Sequence, residues 1–405
     1  MDNATSASDT LNATPQASRL HIAIYGRRNV GKSSLINALA SQPVALVSDV
    51  AGTTTDPVRR AMELHPLGPV LLIDTAGYDD EGAVGTLRNQ RTHDELSRTD
   101  VALLVLDGMP QAPDIQWLKQ LQRQDTPTVV VLNKADALPH PTLTQDDIAQ
   151  AIGIKPVAVS AVTGIGIDAL RQAIVQAAPQ TADERTLTAG LADAGDTVVL
   201  VMPQDRQAPK GRLILPQVQT IRDLLDRGCT PVCCTPDNLQ RTLDNLCQPP
   251  ALIITDSQVF GQVAPLCPRG IRLTSFSIIM AAHKGDIQAL VDGARAIDRL
   301  TPRSRVLIAE ACAHAPLSED IGREKIPALL RKRVGASLQV DVAAGRDFPA
   351  DLTGYDVVIH CGACMFNRAY MLSRIHQAQA QGVAITNYGI TIAHLKGILQ
   401  RCTLP

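Results

Sequence analysis

The stretch that decides the fold is Leu20-His21-Ile22-Ala23-Ile24-Tyr25-Gly26-Arg27-Arg28-Asn29-Val30-Gly31-Lys32-Ser33. Its apolar beginning predicts a buried strand, and the remainder has the P-loop pattern G-x-x-x-x-G-K-S in front of a helical run. Backbone N–H groups and the helix N-terminus of such a loop cradle phosphates. Lys32 would neutralise the β and γ oxygens, and the Ser33 hydroxyl would bind Mg²⁺. The stretch therefore predicts an α/β domain that binds a nucleoside triphosphate.

Two later strand ends carry the rest of a nucleotide site. Leu71-Leu72-Ile73 leads into Asp74-Thr75-Ala76-Gly77, where the carboxylate can reach Mg²⁺ through water and the Gly77 N–H can turn toward a γ-phosphate. Val129-Val130-Val131-Leu132 leads into Asn133-Lys134-Ala135-Asp136. Asp136 can accept both N–H groups of a guanine edge, and adenine offers no such pair of donors. Ser160-Ala161 fits a loop that closes over the base, so the sequence predicts a guanine-nucleotide site.

Length, charge and composition narrow the possible fold classes and partners. A chain of 405 residues predicts two or three domains, and its formal net charge of −2 gives no basic field that would attract nucleic acid. With 45% hydrophobic but only 2% aromatic residues, small aliphatic side chains must fill the cores, as in parallel sheets covered by helices. No run approaches the roughly 20 apolar residues of a membrane span. Residues 1–18 resemble a disordered leader rather than a signal peptide, which predicts a cytoplasmic protein without a membrane partner.

The first domain resembles the translation-factor-like GTPases, and within them the branch that acts on ribosomes and modifies tRNA. Gly52-Thr53-Thr54-Thr55-Asp56 is similar to that branch's switch I, and the resemblance assigns Thr54 to Mg²⁺ with Thr53 close by. Tyr78 follows Gly77, where a glutamine could have oriented the attacking water. Members that share Asn29 bind K⁺ there, so the resemblance implies slow hydrolysis of GTP that K⁺ stimulates.

Together these observations predict catalytic roles for Lys32, Thr54, Asp74 and Gly77. The predicted nucleotide-binding residues are Asn29, Val30, Gly31, Lys32, Ser33, Ser34, Thr53, Thr54, Asp74, Gly77, Asn133, Lys134, Asp136, Ser160 and Ala161.

Beyond a polar linker at 181–185, strands and helices alternate to the end of the chain, which predicts two further α/β domains. We expect a GTPase domain at 19–178, a small domain at 186–268, and a last domain at 269–405. The middle domain shows no residue set with a chemical spacing, and we assign it to self-association. In the last domain, strands are predicted at 271–274, 305–309, 337–341, 355–359 and 383–386. The predicted fold class is α/β: an N-terminal P-loop GTPase domain plus two smaller α/β domains with mainly parallel sheets.

The last domain contains a candidate metal site. Cys312 and His314 follow one predicted strand end, and His360, Cys361 and Cys364 follow another. Ligands of open parallel sheets bind at the carboxyl ends of strands, so both groups are expected to face one crevice. Either a tetrahedral Cys₃His zinc site or a [4Fe–4S] cluster on three thiolates is compatible with the spacing. Of the nine cysteines, the five between 229 and 267 have no ligand spacing and are predicted to be apolar filler.

A Cys-x-His followed by His-Cys-x-x-Cys behind a GTPase is similar to the HydF family, the [FeFe]-hydrogenase maturation GTPases. Segments 276–278, 284–286, 365–368 and 386–389 also resemble that family. The resemblance implies a [4Fe–4S] cluster on Cys312, Cys361 and Cys364, and a dimerising middle domain. It also implies a scaffold or carrier that receives a transient diiron unit with CO, CN⁻ and dithiolate ligands and delivers it to the hydrogenase apoprotein. The radical-SAM maturases of the same pathway are then partners.

The fourth iron ligand stays open at this point. His314 and His360 match the motif either as the fourth ligand or as supporting donors. The nearby carboxylates of Glu310, Glu319 and Asp320 could instead supply a replaceable oxygen.

Two other functions are compatible with parts of the sequence. One is a GTPase of RNA or ribosome assembly with a zinc-bound C-terminal domain, and the other is a GTP hydrolase with an attached electron-transfer cluster. The near-neutral charge and the scarcity of aromatic residues argue against nucleic acid as a partner.

Overall fold

The computed structural model describes residues 19–40, 47–50, 58–79, 91–137, 141–179, 186–204, 213–310, 321–345, 347–362 and 366–405. The chain divides into two compact units, residues 1–181 and 182–405.

The first unit is built on one sheet with helices on both faces. Its strands are β1 (Leu20–Tyr25), β2 (Val47–Val50), β3 (Val58–Leu64), β4 (Gly68–Asp74), β5 (Val101–Leu106), β6 (Thr128–Leu132) and β7 (Val157–Ala158). Its helices are α1 (Lys32–Ala40), α2 (Ala112–Arg123), α3 (Pro141–Ile152) and α4 (Ile167–Ala177), with residues 91–96 also helical and a 3₁₀ turn at Ala135–Ala137.

The strand order of the first sheet is β2-β3-β4-β1-β5-β6-β7. β3 runs antiparallel to β2 and β4, and the remaining pairs are parallel. β1 and β5 are almost wholly buried because helices cover both faces of the sheet. Since β1, β4 and β6 run in the same direction, the three motifs that follow them lie at one edge of the sheet.

The second unit contains two four-stranded parallel sheets. The first has the order β11-β10-β8-β9, formed by β8 (Thr197–Val201), β9 (Thr230–Cys234), β10 (Leu252–Thr255) and β11 (Arg272–Ser275). The second has the order β13-β12-β14-β15, formed by β12 (Arg305–Glu310), β13 (Gln339–Ala344), β14 (Val357–His360) and β15 (Ala384–Asn387).

The helices of the second unit connect these strands. They are α5 (Leu215–Asp226), α6 (Leu239–Asp244), α7 (Phe260–Leu266), α8 (Phe276–Lys284), α9 (Ile287–Arg295), α10 (Ile326–Val334), α11 (Arg368–Ala380) and α12 (Tyr388–Leu395). Short 3₁₀ turns occur at Pro236–Asn238, Ser257–Val259, Ala296–Arg299 and Leu399–Arg401, and a π turn at Ile321–Lys325 precedes α10.

The predicted α/β class with mainly parallel sheets is confirmed, but one strand lies elsewhere than expected. The sequence placed the run at 271–274 in the last domain's sheet, whereas β11 pairs with β10, with Leu252 opposite Arg272. The predicted boundary at 268/269 therefore falls inside one sheet. A short apolar strand carries no local mark of its sheet, because pairing is decided by contacts far away in sequence.

A shared core joins the two small sheets. Buried side chains of β8 and β10 belong to the same apolar cluster as Leu307 of β12 and Val358 of β14. The described helices include none with the length and apolar character needed to cross a bilayer.

Candidate functional site

The P-loop connects β1 to α1 and holds Lys32 in place. The Lys32 ammonium donates to the carbonyls of Gly26 and Arg27, at 2.8 Å each, so the cation lies against its own loop. Gly31 has a φ of +94°, and a Cβ at this residue would overlap the Nδ2 of Asn133. Asn29 also has a positive φ, +62°. The loop thus has the backbone curvature of an anion-binding concavity, in which N–H groups face one point.

A hydroxyl and a carboxylate meet at the mouth of the loop. The Ser33 Oγ donates to the Asp74 carboxylate at 2.5 Å. Burial raises the pKa of Asp74, and the Ser33 hydrogen bond and the charges of Lys32 and Arg60 act against that shift. Hydroxyl and carboxylate oxygens are hard ligands of the kind Mg²⁺ prefers, so this pair fits a magnesium ion. The predicted Thr53 and Thr54 lie outside the described residues.

Gly77 lies close to the P-loop. A Cβ on Gly77 would come within 2.9 Å of the Arg28 backbone nitrogen, so only glycine allows this approach. The next residue but one, Asp79, accepts a hydrogen bond from that same nitrogen at 2.7 Å.

Asn133 connects the P-loop to the loop at 160–161. Its buried amide donates to the Val30 carbonyl at 2.9 Å and accepts from the Ala161 N–H at 3.2 Å. Lys134, at a φ of +62°, forms an ion pair with Asp107 at 3.0 Å. The structure therefore brings the P-loop, the segment 133–136 and the loop at 160–161 together.

The remaining predicted base contacts lie on the same edge. Asp136 is exposed in the turn Ala135–Ala137, as a residue that reads a base edge must be. Ser160 is fully buried, and its Oγ accepts from the Thr163 N–H at 3.1 Å, which shapes the loop. Ser34 is exposed on the first turn of α1.

The two cysteine-containing segments begin at neighbouring points of one sheet. β12 and β14 are adjacent and parallel, with Ala309 opposite His360, and the Cys361 N–H donates to the Ala309 carbonyl at 2.8 Å. Cys361 is half-buried at this strand end. Cys312, His314 and Cys364 lie outside the described residues, and among the described residues there is no group of three or more candidate metal ligands. Of the three predicted cysteine ligands, Cys361 is the one that the structure describes, and sulfur is the donor type that holds iron–sulfur clusters.

His360 is buried and both of its ring nitrogens are engaged. Arg374 lies 2.6 Å from Nε2, and because arginine can only donate, Nε2 is the acceptor. Nδ1 therefore carries the proton and donates to the Cys361 carbonyl at 2.7 Å. Burial and then the charge of Arg374 lower the pKa of His360 to about 3. Of the two roles predicted for His360, this is the geometry of the supporting donor.

Sequence reasoning missed Arg374, which is 3% exposed. Its guanidinium lies 4.2 Å from the Phe348 ring centre and 4.4 Å from that of Tyr370. It also donates to the Gly345 carbonyl at 2.9 Å. Tyr370 lies on the same helix as Arg374, but His360, Phe348 and Gly345 come from elsewhere in the chain, so the sequence near Arg374 does not signal this role.

Glu310 was predicted as a possible source of a replaceable oxygen ligand, but its carboxylate is paired with Arg323. It is 4% exposed, and Arg323 binds its carboxylate through two nitrogens, the shortest contact being 2.8 Å. The other two carboxylates considered, Glu319 and Asp320, lie outside the described residues.

Two of the segments that resembled a known family, 284–286 and the described part of 365–368, contact each other. Lys284, at the end of α8, donates to the Phe366 carbonyl at 3.0 Å. Arg368 donates to the carbonyls of His283 and Gly285 at 2.8 and 3.0 Å. The chain that follows Cys364 is therefore held on the end of α8.

Family models match three parts of the chain. The 50S ribosome-binding GTPase model matches residues 21–134, the hydrogen maturase F dimerization domain 187–285, and the hydrogen maturase F tetramerization domain 288–405. Fold and site thus define a P-loop GTPase domain joined to two oligomerization domains. The chain belongs to the HydF family of hydrogenase maturases.

Curated relatives match the GTPase domain. The chain is 41% identical over 164 residues to the tRNA modification GTPase MnmE of Bordetella parapertussis, covering 39% of this chain and 34% of that protein. It is 39% identical over 161 residues to MnmE of Laribacter hongkongensis, with the same coverage of 39% and 34%. The chain therefore spans about a third of the length of these relatives.

Solved structures with a similar region include Era of Aquifex aeolicus bound to GDP and AlF₄⁻. That match has a TM-score of 0.35 and 20% identity over 53% of this chain and 92% of the other. The G domain of the FeoB iron transporter of T. maritima matches with a TM-score of 0.32 and 22% identity, over 39% of this chain and 98% of the other.

Proposed function

We propose that this chain is a GTP-hydrolysing carrier that binds a [4Fe–4S] cluster and assembles or delivers the diiron subcluster of [FeFe]-hydrogenase. Membership of the HydF family supports the pathway. The proposal of a cluster rests on the pairing of β12 with β14. In the sequence, Cys312 follows the end of β12 and Cys364 follows the end of β14, so the two cysteine segments start from neighbouring strands. The hydrogen maturase F models over residues 187–405 favour this function over that of an RNA-assembly GTPase.

In the GTP site, Lys32 neutralises phosphate charge and Gly77 donates its N–H to the γ-phosphate. Ser33 and Thr54 bind Mg²⁺, and Asp74 reaches the ion through water. Asp136 reads the guanine edge, while Asn133 holds the base loop against the P-loop. Asn29 binds K⁺, which adds positive charge beside the transferred phosphate and accelerates a slow intrinsic hydrolysis.

Cys312, Cys361 and Cys364 hold the cluster, since thiolates are the ligands that iron–sulfur clusters prefer. When bound, such a cluster supplies one iron with a replaceable ligand. His314, Glu319 and Asp320 stay the candidates for that ligand, and His360 supports Cys361 through the peptide carbonyl. Three domains have separate roles: the GTPase at 19–178, a dimerization domain that includes β11 and is matched at 187–285, and a cluster-binding domain matched at 288–405.

The chain acts as an oligomer in the cytoplasm. Its partners are the hydrogenase apoprotein and the radical-SAM maturases that build the diiron unit with CO, CN⁻ and dithiolate ligands. Neither a membrane nor nucleic acid takes part.

Anaerobic reconstitution with iron and sulfide tests whether the chain binds a [4Fe–4S] cluster. The wild-type chain is expected to bind about four iron and four sulfide per chain and to give a reducible, EPR-active centre. Cys361→Ser is expected to lose it and keep GTP hydrolysis, whereas Lys32→Ala keeps the cluster and loses hydrolysis. Cys233→Ser is the matched control, because that thiol is exposed on β9. A colourless protein that holds zinc would contradict the proposal.

Transfer is tested separately from binding. Loaded protein mixed with hydrogenase that lacks its diiron subsite is expected to restore hydrogen evolution, and Cys361→Ser protein is not. If a loaded, intact protein restored no activity, the carrier role would be wrong although the cluster was present.

A further inference from the structure

The two small sheets of the second unit have the same topology. Counted along the chain within each sheet, the strands lie in the order fourth, third, first, second, and all pairs are parallel. The registers correspond as well: Leu252 lies opposite Val198 and Arg272, and Val357 lies opposite Val306 and Ala384. The two hydrogen maturase F models match these sheets separately, so we call residues 187–285 the first half and residues 288–405 the second half.

The end of each half also repeats in sequence. Leu273-Thr274-Ser275-Phe276-Ser277-Ile278 resembles Ile385-Thr386-Asn387-Tyr388-Gly389-Ile390, and both segments run from the last strand of a sheet into the next helix. Ser275 caps α8 and Asn387 caps α12, each by accepting from the backbone N–H three residues further on, at 3.2 and 2.9 Å. The two helices are therefore equivalent elements of the two halves.

A lysine at the end of each of these helices reaches the other half. Lys284-Gly285 and Lys396-Gly397 occupy the same place in the two repeats. The Lys284 ammonium donates to the Phe366 carbonyl at 3.0 Å, in the connection between β14 and α11. The Lys396 ammonium donates to the Gln258 carbonyl at 3.3 Å, in the connection between β10 and α7. Since β10 and β14 are the third strands of their sheets, the two lysines make reciprocal contacts.

The two connections differ in what they offer a metal cluster. The Cys361 N–H donates to the last pairing residue of β12, and the Asp256 N–H donates in the same way to the Val201 carbonyl of β8 at 3.3 Å. Asp256 is thus the counterpart of Cys361, and residues 256–259 contain no cysteine. Lys284 therefore holds the connection that contains the proposed ligands, and Lys396 holds its counterpart without them.

Described contacts lead from Lys284 back to the first of these ligands. Lys284 is 6% exposed, so its hydrogen bond to Phe366 is shielded from water. The Phe366 ring stacks on Tyr370, with centroids 4.5 Å apart and an interplanar angle of 23°. The Tyr370 ring lies 4.4 Å from the Arg374 guanidinium, which donates to His360, the residue before the first cysteine.

We propose that Lys284 is a positioning residue for the cluster site, contributed by the first half to the second. Its ammonium fixes the Phe366 carbonyl, and the stacked ring of Phe366 keeps Arg374 where it orients His360 against Cys361. A hydrogen bond from a charged donor is stronger than one between neutral groups, and outer partners of this kind commonly orient metal ligands. This inference rests on the proposed [4Fe–4S] cluster.

Iron retention tests the role of Lys284 in the full chain. Lys284→Met keeps the length of the side chain and removes the charged donor. After anaerobic reconstitution, this variant is expected to lose iron to a ferrous chelator about 10-fold faster than wild type and to shift the EPR spectrum of the reduced centre. Lys396→Met is the matched control, because it removes the equivalent hydrogen bond and is expected to keep the wild-type rate and spectrum.

Denaturation separates positioning from general support of the fold. The free energy of unfolding is measured for the cluster-free form of both variants. If Lys284→Met and Lys396→Met lose iron equally fast, or if iron loss follows the fall in stability in both, Lys284 only stabilises the second unit and the proposal is overturned.

Phe366→Leu tests the same path without changing Lys284. Leucine keeps the backbone carbonyl and removes the ring that stacks on Tyr370, so faster iron loss is expected here too. A wild-type rate in this variant would overturn the proposal even if Lys284→Met failed to fold. If the wild-type chain bound no cluster, the proposed function and this inference would fail together. If wild type bound one and Lys284→Met retained it equally well, this inference alone would fail.

Discussion

Arg374 donates a hydrogen bond at 2.6 Å to Nε2 of His360, and this single contact decides which proton the histidine carries. Nδ1 must then donate to the carbonyl of Cys361, so the guanidinium positions a proposed cluster ligand through an intervening ring. Metal sites commonly use such outer partners to orient their ligands.

Arg374→Lys is expected to lower the free energy of unfolding by about 1–3 kcal/mol. Lysine keeps the charge but cannot reach His360 and the Gly345 carbonyl with one planar group. Chemical denaturation measures the change. The variant is also expected to lose reconstituted iron faster than wild type while hydrolysing GTP normally. Arg222→Lys is the control, since Arg222 is exposed on α5 and pairs with Asp226, one turn along the same helix. A variant with unchanged stability and iron retention would contradict the role given to Arg374.

His360→Gln is expected to keep the cluster and the EPR spectrum of its reduced form, because an amide can both donate to Cys361 and accept from Arg374. His360→Leu removes both functions and takes away an acceptor of the buried Arg374 guanidinium, which costs about 1–3 kcal/mol. Reconstitution and denaturation distinguish the two variants. A changed spectrum in the glutamine variant would identify His360 as an iron ligand and refute the supporting role.

Gly31→Ala is expected to weaken GDP binding about tenfold or more, since a non-glycine residue at a strained φ costs about 1–3 kcal/mol. The added methyl group also overlaps Asn133, which joins the two halves of the site. Fluorescence anisotropy of a labelled nucleotide measures the affinity. Gly108→Ala is the matched control, because a Cβ there meets no atom within 4 Å. If Gly31→Ala and Gly108→Ala bound GDP with equal affinity, the P-loop would tolerate a non-glycine residue at position 31.

Ser33→Ala is expected to remove the Mg²⁺ dependence of GTP affinity and to slow hydrolysis about tenfold or more, because a bound metal ion contributes several kcal/mol to such reactions. Phosphate release across a Mg²⁺ titration measures both effects. Ser97→Ala is expected to behave as wild type, since Ser97 is a half-buried serine whose hydroxyl bonds the Asp94 carbonyl. Retained Mg²⁺ dependence in Ser33→Ala would place the ion on other ligands.

Asn29→Gly is expected to abolish the stimulation of hydrolysis by K⁺ and to leave the rate in Na⁺ unchanged. Glycine accepts the φ of +62° without strain, so the variant removes the amide oxygen and keeps the backbone. Rates in KCl and NaCl are compared at equal ionic strength. Stimulation by K⁺ that survives the substitution would remove Asn29 from the cation site.

The GTP motifs were readable because each is a few consecutive residues at the end of a strand. Gly31 and Asn133 could be recognised from such local patterns, and the structure brings their loops together. The sheet that contains β11 could not be predicted in this way, since the pairing of Leu252 with Arg272 depends on side chains elsewhere in the fold. The cysteine spacing likewise suggested one crevice, and the register of β12 against β14 shows that the two strand ends lie side by side.

By itself, the sequence determined the nucleotide-binding loops, the α/β class and the residue types of a thiolate site, because these depend on neighbours in the chain. The tertiary structure alone decided that Nδ1 of His360 bonds the Cys361 carbonyl, that Arg374 sets the tautomer of His360, and that Tyr78 lies on Trp117. Arg374 and His360 lie on different elements, as do Tyr78 and Trp117, and folding brings each pair together. His360 and Cys361 are neighbours in the sequence, but their hydrogen bond depends on the orientation of the buried ring. A buried polar group must find a hydrogen-bond partner wherever the fold provides one, and spacing in the sequence does not reveal that partner.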